Sequence, residues 1–187
     1  MKVLLHICCA PCAVMCVKSL RDVGFEVTGL WFNPSIHPFG EWKKRRQAVD
    51  ELSASIDFAV IYNDYFNLEE NLARLLAGSA EGDRCRACYS ERLLNAAQTA
   101  KRKGFDAFCT SLLYSKYQNH SAIEQVGREA AELAGVEFLY RDFRPLWGRG
   151  ITASKRMGLY RQRWCGCIFS EFEAEKEREA RRTNSSE

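Results

Sequence analysis

The stretch VLLHICCAPC, residues 3–12, joins a short apolar run to three closely spaced cysteines. A short apolar run bounded by turn signals is typical of a strand buried inside a sheet, so we expect a first strand at 3–7. Pro11 suits the first turn of a helix, where the N–H group that proline lacks would have no partner anyway. Gly24 suits the end of that helix. The stretch therefore predicts a strand, a sharp turn and a helix in immediate succession, with the cysteines at the turn.

The same alternation of strand and helix signals continues along the chain. We predict further strands at 25–32, 58–63, 107–113 and 136–143. We predict helices at 12–23, 41–55, 68–77, 88–102, 120–134, 151–160 and 171–182. Strands that alternate with helices form a parallel sheet covered on both faces. The expected fold is α/β, a doubly wound parallel sheet of about five strands with helices on both faces. No repeat or long linker divides it, so we expect a single catalytic domain, 1–187, with a charged C-terminal helix and frayed tail at about 171–187.

The placement of the first cysteines indicates where a site would form in such a sheet. Ligand sites lie beyond the carboxyl ends of the strands, at the point where the strand order reverses. Cys8 and Cys9 directly follow the first strand, which is the usual place for that reversal. A nucleotide phosphate would need a glycine-rich loop here, but no glycine lies between Met1 and Val23. The sequence therefore argues against ATP at this position.

The cysteine count and the hydropathy pattern indicate the compartment. Nine cysteines cannot all pair with one another. No run of roughly 18 apolar residues occurs, so we expect no transmembrane helix. His6 and Pro11 interrupt the apolar start, and no small-residue cleavage site follows, which argues against a signal peptide. We expect a cytoplasmic protein without membrane contact, whose cysteines are reduced thiols or metal ligands.

Two cysteine clusters have the residue types and spacing of a metal centre. Cys85 and Cys88 form a C-x2-C pair at a helix start, where the helix dipole stabilises thiolates. Together with Cys8 and Cys9 they suit either a structural zinc or an iron–sulfur cluster. Adjacent cysteines are atypical of structural zinc, but both alternatives stay open. Cys12 is a spare candidate ligand.

A third cluster, Cys165 and Cys167, flanks a glycine. A C-x-C pair closes a small, strained disulfide that is easily reduced, which favours a two-electron donor. The alternative is that both sulfurs hold a second metal. Cys16 and Cys109 lie inside a predicted helix and strand, where we expect small buried hydrophobes.

Basic residues are concentrated near the third cluster. Between residues 140 and 170, one acid, Asp142, faces seven basic residues: Arg141, Arg144, Arg149, Lys155, Arg156, Arg161 and Arg163. A second basic run is Lys43–Arg46. Local positive charge of this kind suits a polyanion such as RNA, and the alternative for the four-residue run is a solvated helix face. Asp142 is a candidate metal ligand or proton donor, or the partner of a neighbouring arginine, which we favour.

The three histidines receive different predictions. His6 lies within the first strand, so we expect a core histidine with satisfied hydrogen bonds. His37 and His120 lie in a loop and at a helix start, and they are candidates for proton transfer.

The motifs as a set resemble the QueH-type epoxyqueuosine reductases in order and spacing, from about Val3 to Glu171. They are HICCAPC, WFNPSIHP, GDRCRACYSERL, TSLLYSKYQNH, RDFRP and LYRQRWCGCIFSE. This family reduces epoxyqueuosine to queuosine in tRNA, the final step of queuosine biosynthesis, without cobalamin. The resemblance implies the doubly wound sheet of adenine-nucleotide alpha hydrolases. It also implies a substrate tRNA that carries epoxyqueuosine in its anticodon loop, and an unidentified electron donor. We expect a monomer.

The resemblance also implies roles for the cysteines. Cys8, Cys9, Cys85 and Cys88 would hold a 4Fe–4S cluster, and Cys165 with Cys167 would form a redox-active pair. A second iron ion beside the cluster is a further option within this family.

Other roles follow from the chemistry that the reaction needs. Tyr89, Tyr160 or Asp142 are candidate proton donors for the departing epoxide oxygen. Trp42 and Trp164 are candidates for stacking on anticodon-loop bases. The candidate RNA-binding residues are Arg141, Arg144, Lys155, Arg156, Arg161 and Arg163.

Two other functions compete with this interpretation. A tRNA sulfur-transfer enzyme on a similar sheet would normally need ATP, against which the missing glycine-rich loop argues. A zinc-stabilised RNA-binding module would share the basic surface but would hold zinc in place of iron and sulfide.

Overall fold

The computed structural model describes residues 1–80 and 83–184. Within them, five strands form one parallel sheet in the order β3-β2-β1-β4-β5. The strands are β1 (Lys2–His6), β2 (Glu26–Trp31), β3 (Val60–Tyr62), β4 (Ala107–Thr110) and β5 (Glu137–Phe138). The order reverses between β1 and β4, so the predicted doubly wound parallel sheet is confirmed.

Helices cover both faces of this sheet, as expected. They are α1 (Ala10–Arg21), α2 (Phe39–Ser55), α3 (Leu68–Ala80), α4 (Arg84–Arg102), α5 (His120–Ala134), α6 (Trp147–Arg156) and α7 (Ile168–Asn184). Right-handed crossovers on either side of the reversal place α1 and α2 on one face and α4 and α5 on the other. The helix packing agrees, because α1 contacts α2 and α6, whereas α4 contacts α3 and α5.

The central strand β1 is buried throughout its apolar part. Val3, Leu4 and Leu5 have no exposed surface, because β2 and β4 pair with β1 on either side and helices cover both faces. His6 ends the strand with Nδ1 2.9 Å from the Thr110 hydroxyl and Nε2 3.1 Å from a backbone carbonyl. Burial lowers the pKa of His6 to about 4, so the ring is neutral at neutral pH. The prediction of a satisfied core histidine is confirmed.

All four strands predicted after the first are shorter in the structure, and the last two end well before their predicted carboxyl ends. The strand expected at 107–113 ends at Thr110, whose side chain accepts a hydrogen bond from the Leu112 N–H and starts a 3-10 turn over Ser111–Tyr114. The strand expected at 136–143 pairs with β4 only over Glu137–Phe138. In both cases the apolar run continues past the end of the hydrogen-bonded pairing.

Some helix boundaries also differ. The helix expected at 151–160 is α6, which begins at Trp147 and ends at Arg156, so Tyr160 lies beyond it. The helix expected from Cys88 begins earlier, at Arg84. The predicted loop before that helix includes residues 81 and 82, and the predicted tail includes 185–187; these five residues lie outside the described part of the chain.

In the ranges 1–80 and 83–184, no helix combines the length and apolar character that a membrane crossing requires.

Gly127 determines how closely α5 approaches the sheet. A Cβ atom added there would overlap the Phe138 ring. We therefore predict that Gly127→Ala lowers the free energy of unfolding by about 1–3 kcal/mol through overpacking, although alanine is otherwise the better helix former by roughly 1 kcal/mol. Urea denaturation measures the difference.

Gly40→Ala is the matched control. Gly40 lies in α2. A Cβ added there would meet no described atom within 4 Å, apart from its chain neighbours and the backbone of its own helix. This variant should be as stable as the unmodified protein or slightly more stable. Equal stability of the two alanine variants would contradict the close approach at Gly127.

Candidate active site

Three cysteines converge where β1 turns into α1. The sulfur atoms of Cys8, Cys9 and Cys12 lie within 4.8 Å of one another, and all three residues are buried. Cys9 adopts an extended conformation just before α1, and Cys12 lies in the first turn of that helix. The turn therefore presents three soft ligands that are close enough to share one metal ion or cluster edge.

Hydrogen bonds give this triad an unequal distribution of charge. The pKa of Cys8 lies well below its ordinary value, because hydrogen bonding with the neighbouring Cys12 and Cys9 sulfurs favours its ionised form and Ser111 Oγ donates to it at 3.2 Å. Burial raises the pKa of Cys9, and the hydrogen bond to Cys8 raises the pKa of Cys12. Cys8 is therefore the most acidic thiol of the triad, and metal binding would release the protons of the thiols that become ligands.

A residue from the C-terminal part of the chain reaches the same triad. Gln162 Nε2 lies 2.8 Å from the Cys9 sulfur and 3.7 Å from the Cys12 sulfur. Its carbonyl oxygen Oε1 is buried and has no hydrogen-bond partner among the described residues. Sequence reasoning missed Gln162, because it lies outside helices and strands and no periodic pattern marks it.

The other two cysteine clusters meet at the start of α4. Cys85 and Cys88 lie in the first turns of that helix, which Asp83 caps. Cys88 packs with Cys167 in one small apolar cluster. Burial raises the pKa of Cys85 and brings that of Cys88 to about 11, and the nearby Cys165 and Cys167 act in the same direction on both. The structure therefore brings the C-x2-C pair to the C-x-C pair.

Seven of the cysteines thus form two separate clusters. We call Cys8, Cys9 and Cys12 the strand triad, and Cys85, Cys88, Cys165 and Cys167 the helix tetrad. All nine cysteines of the chain fall within the described residues, and all are free thiols. Cys16 and Cys109 are fully buried, as predicted. The ligand set Cys8, Cys9, Cys85 and Cys88 spans the two groups and stays a prediction.

Arg92 is a second residue that sequence reasoning missed. It lies on α4 one turn after Cys88, is 1% exposed, and its Nε and Nη2 have no hydrogen-bond partner among the described residues. In their ionised form the sulfurs of Cys88, Cys165, Cys8 and Cys167 would favour the charged guanidinium, so Arg92 lies within electrostatic reach of cysteines from both groups. Arg92 follows Cys88 by four residues, so both side chains lie on one face of α4. This spacing is the feature of the sequence that could have indicated Arg92.

These residues fit an anionic metal–sulfur group. Iron–sulfur clusters are held by cysteine thiolates and carry net negative charge. A buried guanidinium without a protein partner, beside several buried thiols, supplies the complementary positive charge.

A second buried arginine fixes the C-x-C segment. Arg45 on α2 donates from Nη1 to the Cys165 carbonyl at 2.8 Å and from Nη2 to the Trp164 carbonyl at 3.1 Å. Its Nε donates to Glu41 at 2.7 Å, and Glu41 also accepts a hydrogen bond from the Tyr160 hydroxyl. Arg45 is therefore a structural clamp between α2 and the redox candidate Cys165.

This clamp corrects the interpretation of the basic run Lys43–Arg46. Arg45 is buried, and Arg46 pairs with Asp50 and Asp64, so the run is neither a continuous RNA-binding surface nor a fully solvated face. Lys43 and Lys44 are the two exposed members.

Gly166 is required between the two cysteines of the C-x-C pair. Its φ of +152° lies in a region that side chains rarely adopt, and an added Cβ would approach Ile36 to 3.2 Å. Its carbonyl accepts hydrogen bonds from the His37 N–H at 2.8 Å and from Trp164 Nε1 at 3.2 Å. The backbone of the pair is therefore held at several points while both thiols remain free.

A cleft of about 590 Å³ opens onto these thiols, reaching Cys8, Cys12 and Cys165. Aromatic, basic, amide and carboxylate side chains line it: Tyr114, Tyr117, Trp147, Trp164, Arg161, Arg163, Arg178, Gln118, Gln162, Glu173 and Glu177. A concave site with stacking surfaces and a few polar groups suits a planar, polar small group such as a modified base.

One wall of this cleft is built by close packing. The rings of Tyr114 and Trp147 stack with centroids 5.1 Å apart, and the Tyr114 hydroxyl donates to the Trp147 carbonyl at 2.8 Å. A Cβ at Gly150 would overlap that hydroxyl. Gly150 therefore allows α6 to bring Trp147 against the cleft.

The candidate proton donors occupy different positions. Burial and the bond to Glu41 raise the pKa of Tyr160 to about 12. Tyr89 donates to Gln118, a cleft residue, at 2.7 Å, and burial raises its pKa. Asp142 forms an ion pair with Arg144 at 2.7 Å, which lowers its pKa, and it is not among the cleft-lining residues. The ion-pair interpretation of Asp142 is confirmed.

The candidate RNA-binding residues divide into two sets. Arg161 and Arg163 are exposed and line the cleft. Lys155 and Arg156 are exposed at the end of α6, away from the cleft lining. Arg144 is neutralised by its partner Asp142, and Arg141 is half-buried.

Of the remaining candidates, Trp42 and His37 are buried, and His120 is half-buried. Trp42 is buried and packs edge-on against Trp31, so it does not present a stacking face to RNA. His37 is buried, and neither ring nitrogen has a partner among the described residues. His120 Nε2 lies 3.2 Å from the Ser115 carbonyl.

Comparison with known proteins gives a consistent result. A family model described as epoxyqueuosine reductase QueH matches residues 3–173. Epoxyqueuosine reductase QueH of Dehalococcoides mccartyi is 37% identical, over 92% of this chain and 93% of the relative. Epoxyqueuosine reductase QueH of Thermotoga maritima is 36% identical, over 91% of each chain.

A solved structure shares the fold. It is a predicted subunit of tRNA methyltransferase from Methanocaldococcus jannaschii, with a TM-score of 0.54 and 8% identity, covering 83% of this chain and 74% of that chain. At that identity the likeness concerns the fold alone. The family model and the two relatives, in contrast, match almost the full length at the level of sequence. The chain therefore belongs to the epoxyqueuosine reductase QueH family.

Proposed function

We propose that this protein reduces epoxyqueuosine to queuosine in tRNA, as the final step of queuosine biosynthesis, without cobalamin and in the cytoplasm. One observation carries the proposal: in a chain of this family, a cleft lined by aromatic and basic side chains leads to Cys8, Cys12 and Cys165. The names of the relatives from D. mccartyi and T. maritima support the same reaction.

The electron balance of this reaction matches a dithiol. The two C–O bonds of the epoxide break, a carbon–carbon double bond forms, and the oxygen leaves as water after taking up two protons and two electrons. Cys165 and Cys167 supply both electrons and both protons when they are oxidised to a disulfide. An external electron donor then reduces the disulfide. The exposure of Cys165 at the cleft supports this role, since both substrate and donor can reach it.

Cys8, Cys9, Cys85 and Cys88 would hold a 4Fe–4S cluster, with Cys12 as a neighbouring thiol and a second iron as a further option. When bound, iron with an open position supplies a Lewis acid for the departing oxygen and a path for electrons. The low pKa of the Cys8 thiol supports its assignment as a ligand, because thiolates are the form that binds metal.

The chain's own side chains would bind and orient the tRNA. Trp147 and Tyr117 offer ring faces for an unstacked base. Arg161 and Arg163 at the cleft lie where the phosphates next to such a base would pass. The orphan oxygen of Gln162 is a further acceptor for a substrate hydroxyl. Tyr89, which holds Gln118, and Tyr160 keep their protons at neutral pH and remain candidate proton sources.

The metal prediction is tested by replacing each proposed ligand with serine. Cys8→Ser, Cys9→Ser, Cys85→Ser and Cys88→Ser should each lose most of the bound iron and sulfide after anaerobic reconstitution, because each removes one thiolate ligand. Cys109→Ala, a buried cysteine in β4, is the control and should keep both. Full iron and sulfide in all four serine variants would refute the ligand set, and zinc without sulfide would favour the RNA-binding module.

The dithiol prediction is tested by thiol trapping during a single turnover. Both Cys165 and Cys167 should react with an alkylating reagent before turnover and be protected after it, because the reaction converts them to a disulfide. Cys165→Ser should keep its cluster and bind tRNA but fail to turn over repeatedly. If both thiols stay alkylatable after epoxyqueuosine is consumed, the pair is not the electron source.

The RNA prediction is tested by charge removal at the cleft. Arg161→Gln with Arg163→Gln should weaken tRNA binding and reduce the slope of log K against log salt by roughly one for each phosphate that the protein no longer neutralises. Arg102→Gln with Lys103→Gln, exposed at the far end of α4, is the matched control and should leave the slope unchanged. Equal slopes in both double variants would place the RNA surface elsewhere.

A further inference from the structure

Arg92 stands out because the fold buries its charge without a protein partner. The side chain is 1% exposed, and both Nε and Nη2 lack a hydrogen-bond acceptor among the described residues. A buried unpaired charge is strongly unfavourable unless a ligand of opposite charge compensates it. The position is therefore suited to hold an anion.

Arg45 provides an internal comparison. It is equally buried at 1% exposure, yet its Nε, Nη1 and Nη2 all donate to protein acceptors, Glu41 and the carbonyls of Trp164 and Cys165. Both guanidinium groups lie beside the same glycine, since an added Cβ at Gly166 would be 3.4 Å from Arg45 Nη1 and 3.9 Å from Arg92 Nη2. The fold thus satisfies one buried arginine fully and leaves the adjacent one unsatisfied.

The groups around Arg92 identify the kind of anion. Cys88 lies one turn earlier on the same helix, and a Cβ added at Gly166 of the C-x-C segment would lie 3.9 Å from Nη2. The sulfur atoms of Cys88, Cys165, Cys8 and Cys167 also lie within its electrostatic reach and would favour its charged form when they are ionised, as they are when they bind a metal. His6 and His37 also lie within its electrostatic reach, and the pKa of each is lowered, so both are neutral.

We propose that Arg92 is a positioning residue that holds, by charge and N–H donation, an anionic metal–sulfur group bound between the strand triad and the helix tetrad. This inference rests on the cluster of the proposed function and adds a specific role within it. Reduction makes such a group more negative, and a nearby fixed positive charge stabilises the more negative state. Arg92 therefore raises the midpoint potential of the bound group, and hydrogen bonds from its N–H groups to sulfur act in the same direction.

Three variants test the role. Arg92→Gln removes the charge, Arg92→Lys keeps it, and Arg102→Gln removes an exposed charge from the same helix as a matched control. Each protein is reconstituted with iron and sulfide without oxygen. The measurements are iron and sulfide per chain, the midpoint potential from a redox titration followed by electron paramagnetic resonance, and the unfolding temperature of the metal-free form.

The expected results distinguish an electrostatic role of Arg92 from a purely structural role. Arg92→Lys and Arg102→Gln should match the unmodified protein in iron content, and their midpoint potentials should lie close to its value. Arg92→Gln should have a lower midpoint potential or, if the group no longer stays bound, less than half the iron. Its metal-free form should unfold at the same temperature as the unmodified metal-free protein or at a higher one, because the substitution removes an unpaired buried charge and no hydrogen bond from Nε or Nη2 to the protein.

Several outcomes would overturn the inference. Arg92→Gln with unchanged iron, sulfide and potential would do so while leaving the proposed cluster intact. Metal-free Arg92→Gln and Arg92→Lys that both unfold well below the unmodified protein would assign Arg92 a purely structural role. Failure of the unmodified protein to bind iron and sulfide would refute both the cluster of the proposed function and this inference.

Discussion

The position of β1 between two parallel neighbours is the constraint on which the rest of the structure depends. Because β2 and β4 pair with opposite sides of β1, their crossovers leave to opposite faces, and a crevice opens at the carboxyl end of β1. The strand triad lies at that end, since the chain turns there from Cys8 into α1. The helix tetrad approaches the same edge from α4, which precedes β4. The strand order thus places the strand triad and the start of α4 at one edge of the sheet.

The two buried arginines show how the C-terminal segment completes this edge. Residues 157–167 have no regular secondary structure, so their backbone carbonyls need partners from elsewhere. Arg45 from α2 supplies them and fixes Cys165, while Gln162 bonds to the strand triad. Arg92 from α4 is buried near the same segment, and its Nε and Nη2 have no acceptor among the described residues. Side chains from α2, from α4 and from the segment itself thus join this segment to the edge of the sheet.

The sequence predicted the features that depend on neighbouring residues, and it did not predict those that depend on tertiary contacts. The short apolar run predicted β1, and Pro11 and Gly24 predicted the helix α1 between them. The cysteine spacing predicted that Cys85 and Cys88 start a helix. Neither pattern reveals that Arg45 is buried, because its place in a basic run resembles a solvated face until α2 docks. Arg92 and Gln162 are ordinary polar residues until the fold brings them to sulfur atoms.

The thiols differ in exposure, so a dissolved reagent reaches some of them before others. Cys165 is exposed beside the cleft, whereas the strand triad is enclosed at its inner end and Cys167 is covered. A dissolved oxidant or electrophile therefore meets Cys165 before it meets Cys8, Cys9 or Cys12. Oxidation of this protein should accordingly begin at its exposed thiols, Cys165 and Cys85, and should reach the buried triad last.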